Sequence, residues 1–200
     1  MFTVSAFHSY GDDMAAATTI CFNWDCVSFH PLLGLQVAVL TLVGQAMGQD
    51  LPSMAERTAR SGFKLAFLFS GMMAIIFFSC TSWLIGVFTS ESTGIDYTHV
   101  REFAHPMLRL TSVYLMMDAV TLISTGTLRG AGDTLGCMVI HLFLSISTAF
   151  IIVVSVRYIH INPVYAWGVF VLCIFATATT FFIRYKLGAW KKLRIIAPEK

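Results

Sequence analysis

Two aspartates stand where a chain rarely leaves a charge. Asp118 lies near the middle of the apolar run 108–128, and Asp25 near the middle of another, within Phe22-Asn23-Trp24-Asp25. If those runs cross a bilayer, an acid at that depth costs roughly 2.5 kcal/mol or more and must face protein or water instead of lipid. Carboxyls so placed serve as cation sites or proton carriers, because their protonation answers to burial and to nearby charge. The plainer alternative is a structural acid that pairs with a neighbour or lines a water-filled gap. Tyr114 precedes Asp118 by four residues and so shares its helix face. Its ring and hydroxyl could help hold a cation, or the side chain is simply a packed aromatic. No histidine pair has metal spacing, and His30 and His141, which fall in apolar runs, read as hydrogen-bonded packing residues. Cys21, Cys26, Cys80, Cys137 and Cys173 also fall in apolar segments without a C-x-x-C pair, and read as small buried hydrophobes.

The elements that must position these residues are membrane helices. The chain of 200 residues is 56% hydrophobic and 12% charged, with a mean hydropathy of +0.74 and a net charge of +2. A soluble domain carries about 25% charged residues, so lipid must cover much of this surface. Five apolar spans follow one another at 14–48, 62–88, 108–128, 134–156 and 164–183, each long enough for the roughly 20 residues a bilayer crossing needs. Irregular backbone cannot face lipid, so the spans are helices. A barrel would alternate polar and apolar residues instead of running continuously. The fold class is therefore all-α, a polytopic membrane helix bundle of five full transmembrane helices. Residues 1–10 could be the stub of a sixth, and they do not read as a signal peptide, since they lack its basic start. Residues 11–188 form the bundle and 189–200 a basic cytoplasmic tail.

Turn signals separate the spans. Asp12 and Asp13 suit the start of the first, and Ser53 suits the cap of the second, which opens amphipathically with Met54, Ala55, Glu56, Arg57 and Arg60. Pro31 and Gly34 lie inside the first span, where proline removes a helix hydrogen bond and invites a kink. That span exceeds the roughly 30 Å apolar core, so it tilts, bends or projects. Gly34, Ala38, Gly44 and Gly48 allow close helix packing. Ten of the thirteen basic residues (Arg57, Arg60, Lys64, Arg129, Arg184, Lys186, Lys191, Lys192, Arg194 and Lys200) fall on one side of the alternation, while Asp12, Asp13, Glu91, Asp96 and Glu102 fall on the other. The basic side is expected to be cytoplasmic, which makes the chain a multi-pass protein of an inner or plasma membrane with its C-terminus inside.

Arg129, Gly130, Gly132 and Asp133 form a turn at the cytoplasmic side, with Asp133 or Thr134 capping the next helix. Gly130-Ala131-Gly132-Asp133 also has the G-x-G-D pattern of intramembrane aspartyl proteases. That chemistry needs a second aspartate facing it at depth, and Asp133 lies at a span boundary. The same turn lacks the Lys-Ser/Thr of a P-loop. The chain is read as no enzyme, with no cofactor, no metal beyond a Na+ at Asp118, and no nucleic-acid partner.

Three runs carry a family resemblance. Phe29-His30-Pro31-Leu32-Leu33-Gly34-Leu35, then Thr41-Leu42-Val43-Gly44-Gln45-Ala46-Met47-Gly48, then Leu128-Arg129-Gly130-Ala131-Gly132-Asp133-Thr134 resemble the multidrug and toxic compound extrusion (MATE) family. The likeness covers about residues 11–190 and places them in the second of two six-helix lobes. It implies export of cationic or amphipathic organic compounds in exchange for Na+ or H+. It places Asp118 at the helix-ten aspartate that binds the coupling cation in one bacterial branch, with Tyr114 at an aromatic near it. Asp25 sits where the family more often has a neutral polar residue. The partners implied are the substrate, the bilayer and an N-terminal lobe, which, with the helix-seven carboxylate, would lie before Met1. The other readings are a flippase for lipid-linked precursors, and an inactive fragment or scaffold.

Overall fold

In the computed structural model, backbone is described for residues 12–88, 98–157 and 163–192, and side chains for 15–88, 98–155 and 165–191. The caps expected from Asp12 and Asp13, the stub at 1–10 and the last basic residues lie outside those described. The elements are α1 (Asp12–Gly48), α2 (Pro52–Ser79), α3 (Thr81–Phe88), α4 (Thr98–Gly130), α5 (Thr134–Arg157) and α6 (Pro163–Leu187), followed by a 3-10 turn at Ala189–Lys192. All but α3 and the final turn are long and apolar enough to cross a membrane. Leu68, Phe143, Phe150 and Leu172 are each about 70% exposed. A continuous apolar exterior of this kind suits lipid and not water.

The central helix is α4. Of its 33 residues, 17 are buried. It packs on α1, α2 and α6. Glycines set the closest approach: a Cβ on Gly126 would stand 2.9 Å from the Gln36 carbonyl oxygen, and one on Gly130 would stand 2.5 Å from that of Leu40. Beside Gly126, Gln36 Nε2 donates to Thr125 Oγ1 at 2.8 Å. The small pair on α4 is thus spaced G-x-x-x-G, the spacing that lets two membrane helices bring their backbones together.

Several local expectations change. The second span was read as 62–88, but α2 stops at Ser79 and a separate short helix follows. Cys80 leaves helical geometry (φ −107, ψ 21). Thr81 turns its hydroxyl back onto the carbonyls of Phe77 and Phe78, the local bonding by which such side chains compete with a regular helix. Ser53 does not cap α2: Pro52 takes the first helical position after Leu51, and no side chain bonds the helix start. Helix α1 runs unbroken through Pro31. Open space surrounds Gly34 and Gly48, so of that glycine stripe only Gly44 meets a neighbour, the Gly130 carbonyl at 3.3 Å. His30 and His141 are exposed, yet the His30 ring bonds the Cys26 carbonyl at 2.6 Å and the His141 ring lies 6.0 Å from that of Phe181. Cys26 and Cys80 face outward, while Cys21 and Cys137 are buried.

The turn after α4 matches its reading as a tight loop. Gly132 takes φ 94, Gly132 N–H bonds the Arg129 carbonyl, and Asp133 N–H bonds that of Leu128. This is the glycine-terminated helix end in which a left-handed residue satisfies the last carbonyls. Asp133 accepts Cys137 N–H with its own carbonyl, but its carboxylate goes to Arg184 on α6, at 2.7 and 2.9 Å. The acid therefore ties a loop to a helix. Past α6, Trp190 is buried, stacks on Tyr185 at 5.9 Å and donates to its carbonyl, so the packed bundle runs beyond residue 188.

Candidate functional site

Two apolar cores stack along the bundle with a seam between them. One gathers Ile20 and Cys21 of α1, Phe77 of α2, Met107 to Leu115 of α4, and Trp167 and Val171 of α6. The other gathers Leu32 to Met47 of α1, Ala55 to Ala66 of α2, Ala119 to Leu128 of α4, and Phe181 of α6. On α1 the seam falls between residues 22 and 31, and on α4 between 116 and 118. Asp25 and Asp118 each lie in that gap. Ser28 and Ser70 are buried at the same level, each bonding a carbonyl of its own helix.

The structure brings the three sequence-singled residues together. Tyr114 lies against Asp25, on the neighbouring helix, as well as on the face of Asp118, and each acid acts electrostatically on it. Asp25 in turn acts on Asp118. Neither acid has an ion pair among the described residues. The Tyr114 hydroxyl sits beside the Asp25 carboxyl and the Thr111 hydroxyl without a well-formed hydrogen bond to either, so that Tyr114 Oη and Asp25 Oδ1 are both buried and unpaired. A buried polar atom left unpaired costs about 1–3 kcal/mol. Two carboxyls and a phenol thus converge with no cation paired to them among the described residues, and oxygens are the natural ligands of a small hard cation.

Aromatic rings close one side of this cluster. Tyr114 meets Phe170 edge-on at 6.3 Å, and Phe22, Trp167 and Phe170 pack mutually at 5.3 to 6.1 Å. Trp24, next to Asp25, is fixed by its bond to the Leu84 carbonyl at 3.0 Å.

On the other side opens a cavity of about 660 Å³ between α1, α4, α5 and α6. Its wall begins one turn from each acid, at Phe29 on α1 and at Thr121 and Leu122 on α4. It continues past Gln36, Thr125, Met138, His141 and Phe181 to Arg129 at the loop end. Most of the lining is apolar, with a few fixed polar groups, the usual make-up of a small-molecule site. Sequence reasoning missed this wall. Its one legible sign was the line of Asp118, Thr121 and Thr125, three polar residues a turn apart within an apolar run. Arg129 belongs to the turn, where its carbonyl accepts Gly132 N–H, and its side chain also borders the cavity, while Gly130, Gly132 and Asp133 shape the loop. Pro31 and Gly34 lie outside both features.

Residues 1–159 match the model of the family described as MatE. The chain belongs to the MatE family. It is 30% identical over 192 residues to the "Probable multidrug resistance protein NorM" of Thermotoga maritima, covering 95% of this chain and 40% of that protein. A protein of the same description from Idiomarina loihiensis is 30% identical over 128 residues, 62% of this chain and 26% of the relative. The chain thus spans well under half the length of the curated relatives it matches. Among solved structures, "Crystal structure of MATE in complex with MaL6" superposes with a TM-score of 0.84 at 17% identity, over 96% of this chain and 43% of that one. Structures of a multidrug resistance MATE family transporter in inward-facing and outward-facing conformations give TM-scores of 0.82 and 0.79, each at 18% identity over 96% of this chain, covering 44% and 42% of theirs. The MatE fold is thus a multi-pass membrane helix bundle, as the apolar spans required.

Proposed function

We propose that this MatE chain acts as the C-terminal lobe of an antiporter that exports cationic or amphipathic organic compounds in exchange for Na+ or H+. Asp118 and Asp25 hold the coupling ion, with Tyr114 between them. The observation that carries the reading is the meeting of two membrane-depth carboxyls with a buried, unpaired phenol at the seam between the cores, one helical turn from a cavity of about 660 Å³. Ion and substrate then act on the same pair of helices. Cation binding draws α1 and α4 together at the seam, and that pairing forms the cavity wall, so occupancy of one site shifts affinity at the other. Alternating access requires two lobes rocking about a central site, and the partner here is an N-terminal lobe. The similar fit to inward-facing and outward-facing relatives suits a lobe that moves as one body.

The deciding experiment is dye efflux by this chain assembled with an N-terminal lobe in vesicles, across an imposed sodium or proton gradient. Efflux is expected to follow one of the two gradients and to fall to the passive rate in Asp118→Asn. Undiminished coupled efflux in that variant would remove Asp118 from the mechanism.

A further inference from the structure

The outer face of α2 changes character along its length. Met54, Arg57, Ser61, Leu65, Leu68 and Met72 recur at three- and four-residue steps and so share one stripe. Its first turns border an open groove of about 720 Å³ lined by Arg57, Arg60, Ser61 and Lys64. Its later turns border a second groove of about 500 Å³, wholly apolar, where Leu65, Leu68 and Met72 meet Pro31 and Leu35 of α1. Lys64 ends one groove and Leu65 begins the next.

The cations of the first groove are not equivalent. Glu56 accepts both Arg60, at 3.0 Å, and Lys191, at 2.7 Å. The acid nearest the groove is therefore already shared between two bases. Arg57 and Lys64 are exposed and have no ion pair among the described residues. Two charges without an ion pair among the described residues thus stand at the head of an apolar channel. From Arg57 to Met72 is about 22 Å at 1.5 Å per residue. Half of a bilayer with its headgroups is also roughly 20–22 Å.

We propose that this face of α2 binds one anionic phospholipid, its phosphate held by Arg57 and Lys64 and an acyl chain laid over Leu65 and Leu68 into the niche beside Pro31. A neutral or zwitterionic lipid would leave the two cations uncompensated, and a soluble anion would leave the apolar groove unused. The niche also gives Pro31 a place in the fold: its turn of α1 forms the far wall of the chain-binding groove.

Native mass spectrometry of the 200-residue chain in mild detergent tests this, with phosphatidylglycerol or phosphatidylcholine added. One phosphatidylglycerol is expected to be retained in preference to phosphatidylcholine. Retention should weaken roughly thirtyfold in the double variant R57Q/K64Q, the size expected for two basic contacts with an anionic headgroup. It should be unchanged in R109Q/K186Q, which removes equal charge elsewhere. Equal retention of the two lipids, or equal loss in the two double variants, would overturn the proposal. A photoreactive residue in place of Ser61 supplies a second readout that does not depend on the glutamine variants folding. In native membranes its crosslinks should carry lipid, and crosslinks to a protein segment instead would assign the face to a partner.

Discussion

An oxygen buried without a partner is a stored cost, and Tyr114 Oη and Asp25 Oδ1 both bear it. A bound cation would relieve the cost at both atoms and offset the repulsion between the two carboxyls. Each carboxylate contact of that kind is worth about 1.5–3 kcal/mol and a neutral hydroxyl contact about 1 kcal/mol. Sodium affinity, if sodium is the ion, is therefore expected to fall about tenfold to a hundredfold in Asp118→Asn and in Asp25→Asn, and about fivefold in Tyr114→Phe. Trp24 and Trp167 supply the signal: one adjoins Asp25 in the chain and the other packs on Phe22, so a sodium titration followed by tryptophan fluorescence reads the site directly. An Asp25→Asn response identical to the unsubstituted chain would leave Asp118 to act alone. The two acids were legible in the sequence because charge in an apolar run stands out. Their convergence was not, because it depends on the register of α1 against α4, which no single helix carries.

That register is set by backbone contact. Gly126 and Gly130 press α4 onto Gln36 and Leu40 of α1, while Gly34 faces open space. Overpacking costs about 1–3 kcal/mol where neighbours cannot yield, and a backbone carbonyl yields least. Gly130→Ala and Gly126→Ala are accordingly expected to destabilise the folded chain by about that amount, whereas Gly34→Ala should be neutral or stabilise it by up to about 0.5–1 kcal/mol. Unfolding in a graded detergent mixture, followed by circular dichroism, distinguishes them; a Gly130→Ala variant as stable as Gly34→Ala would refute the contact. Helix existence and turns were readable from apolar run length and from Gly132, whose φ of 94 suits glycine. The tie between loop and helix was not, because Arg184 lies far along the chain from Asp133, and their pairing appears only once α6 returns to the loop. The pair is partly exposed, at 38% and 16% of the two side chains, so screening reduces its worth to about 1 kcal/mol. A double-mutant cycle with Asp133→Asn and Arg184→Gln should show coupling of that order, and a coupling of zero would mean that the geometry contributes nothing to stability.

At the scale of the whole molecule, the five spans alternate, and every charge must end on one side or the other. Eight of the described basic residues (Arg57, Arg60, Lys64, Arg129, Arg184, Lys186, Lys191 and Lys192) lie at one end and three (Arg101, Arg109 and Arg157) at the other, and the structure places the α1–α2 link, the α4–α5 turn and the end of α6 together at the first: Lys191 at that end reaches Glu56 near the start of α2 at 2.7 Å. Each positive charge carried outward against a membrane potential costs about 2.3 kcal/mol per 100 mV. The inverted topology would carry five more of the described cations outward than this one (eight against three), each at that cost. Cysteines at Ser53 and at Glu102, both exposed and at opposite ends, turn the argument into a measurement once the five natural cysteines are replaced. A membrane-impermeant maleimide should label Glu102→Cys in intact cells and Ser53→Cys only after permeabilisation. The reverse pattern would put the basic end outside, invert the direction assigned to transport, and leave Arg57 and Lys64 facing the wrong leaflet for the lipid they are proposed to hold.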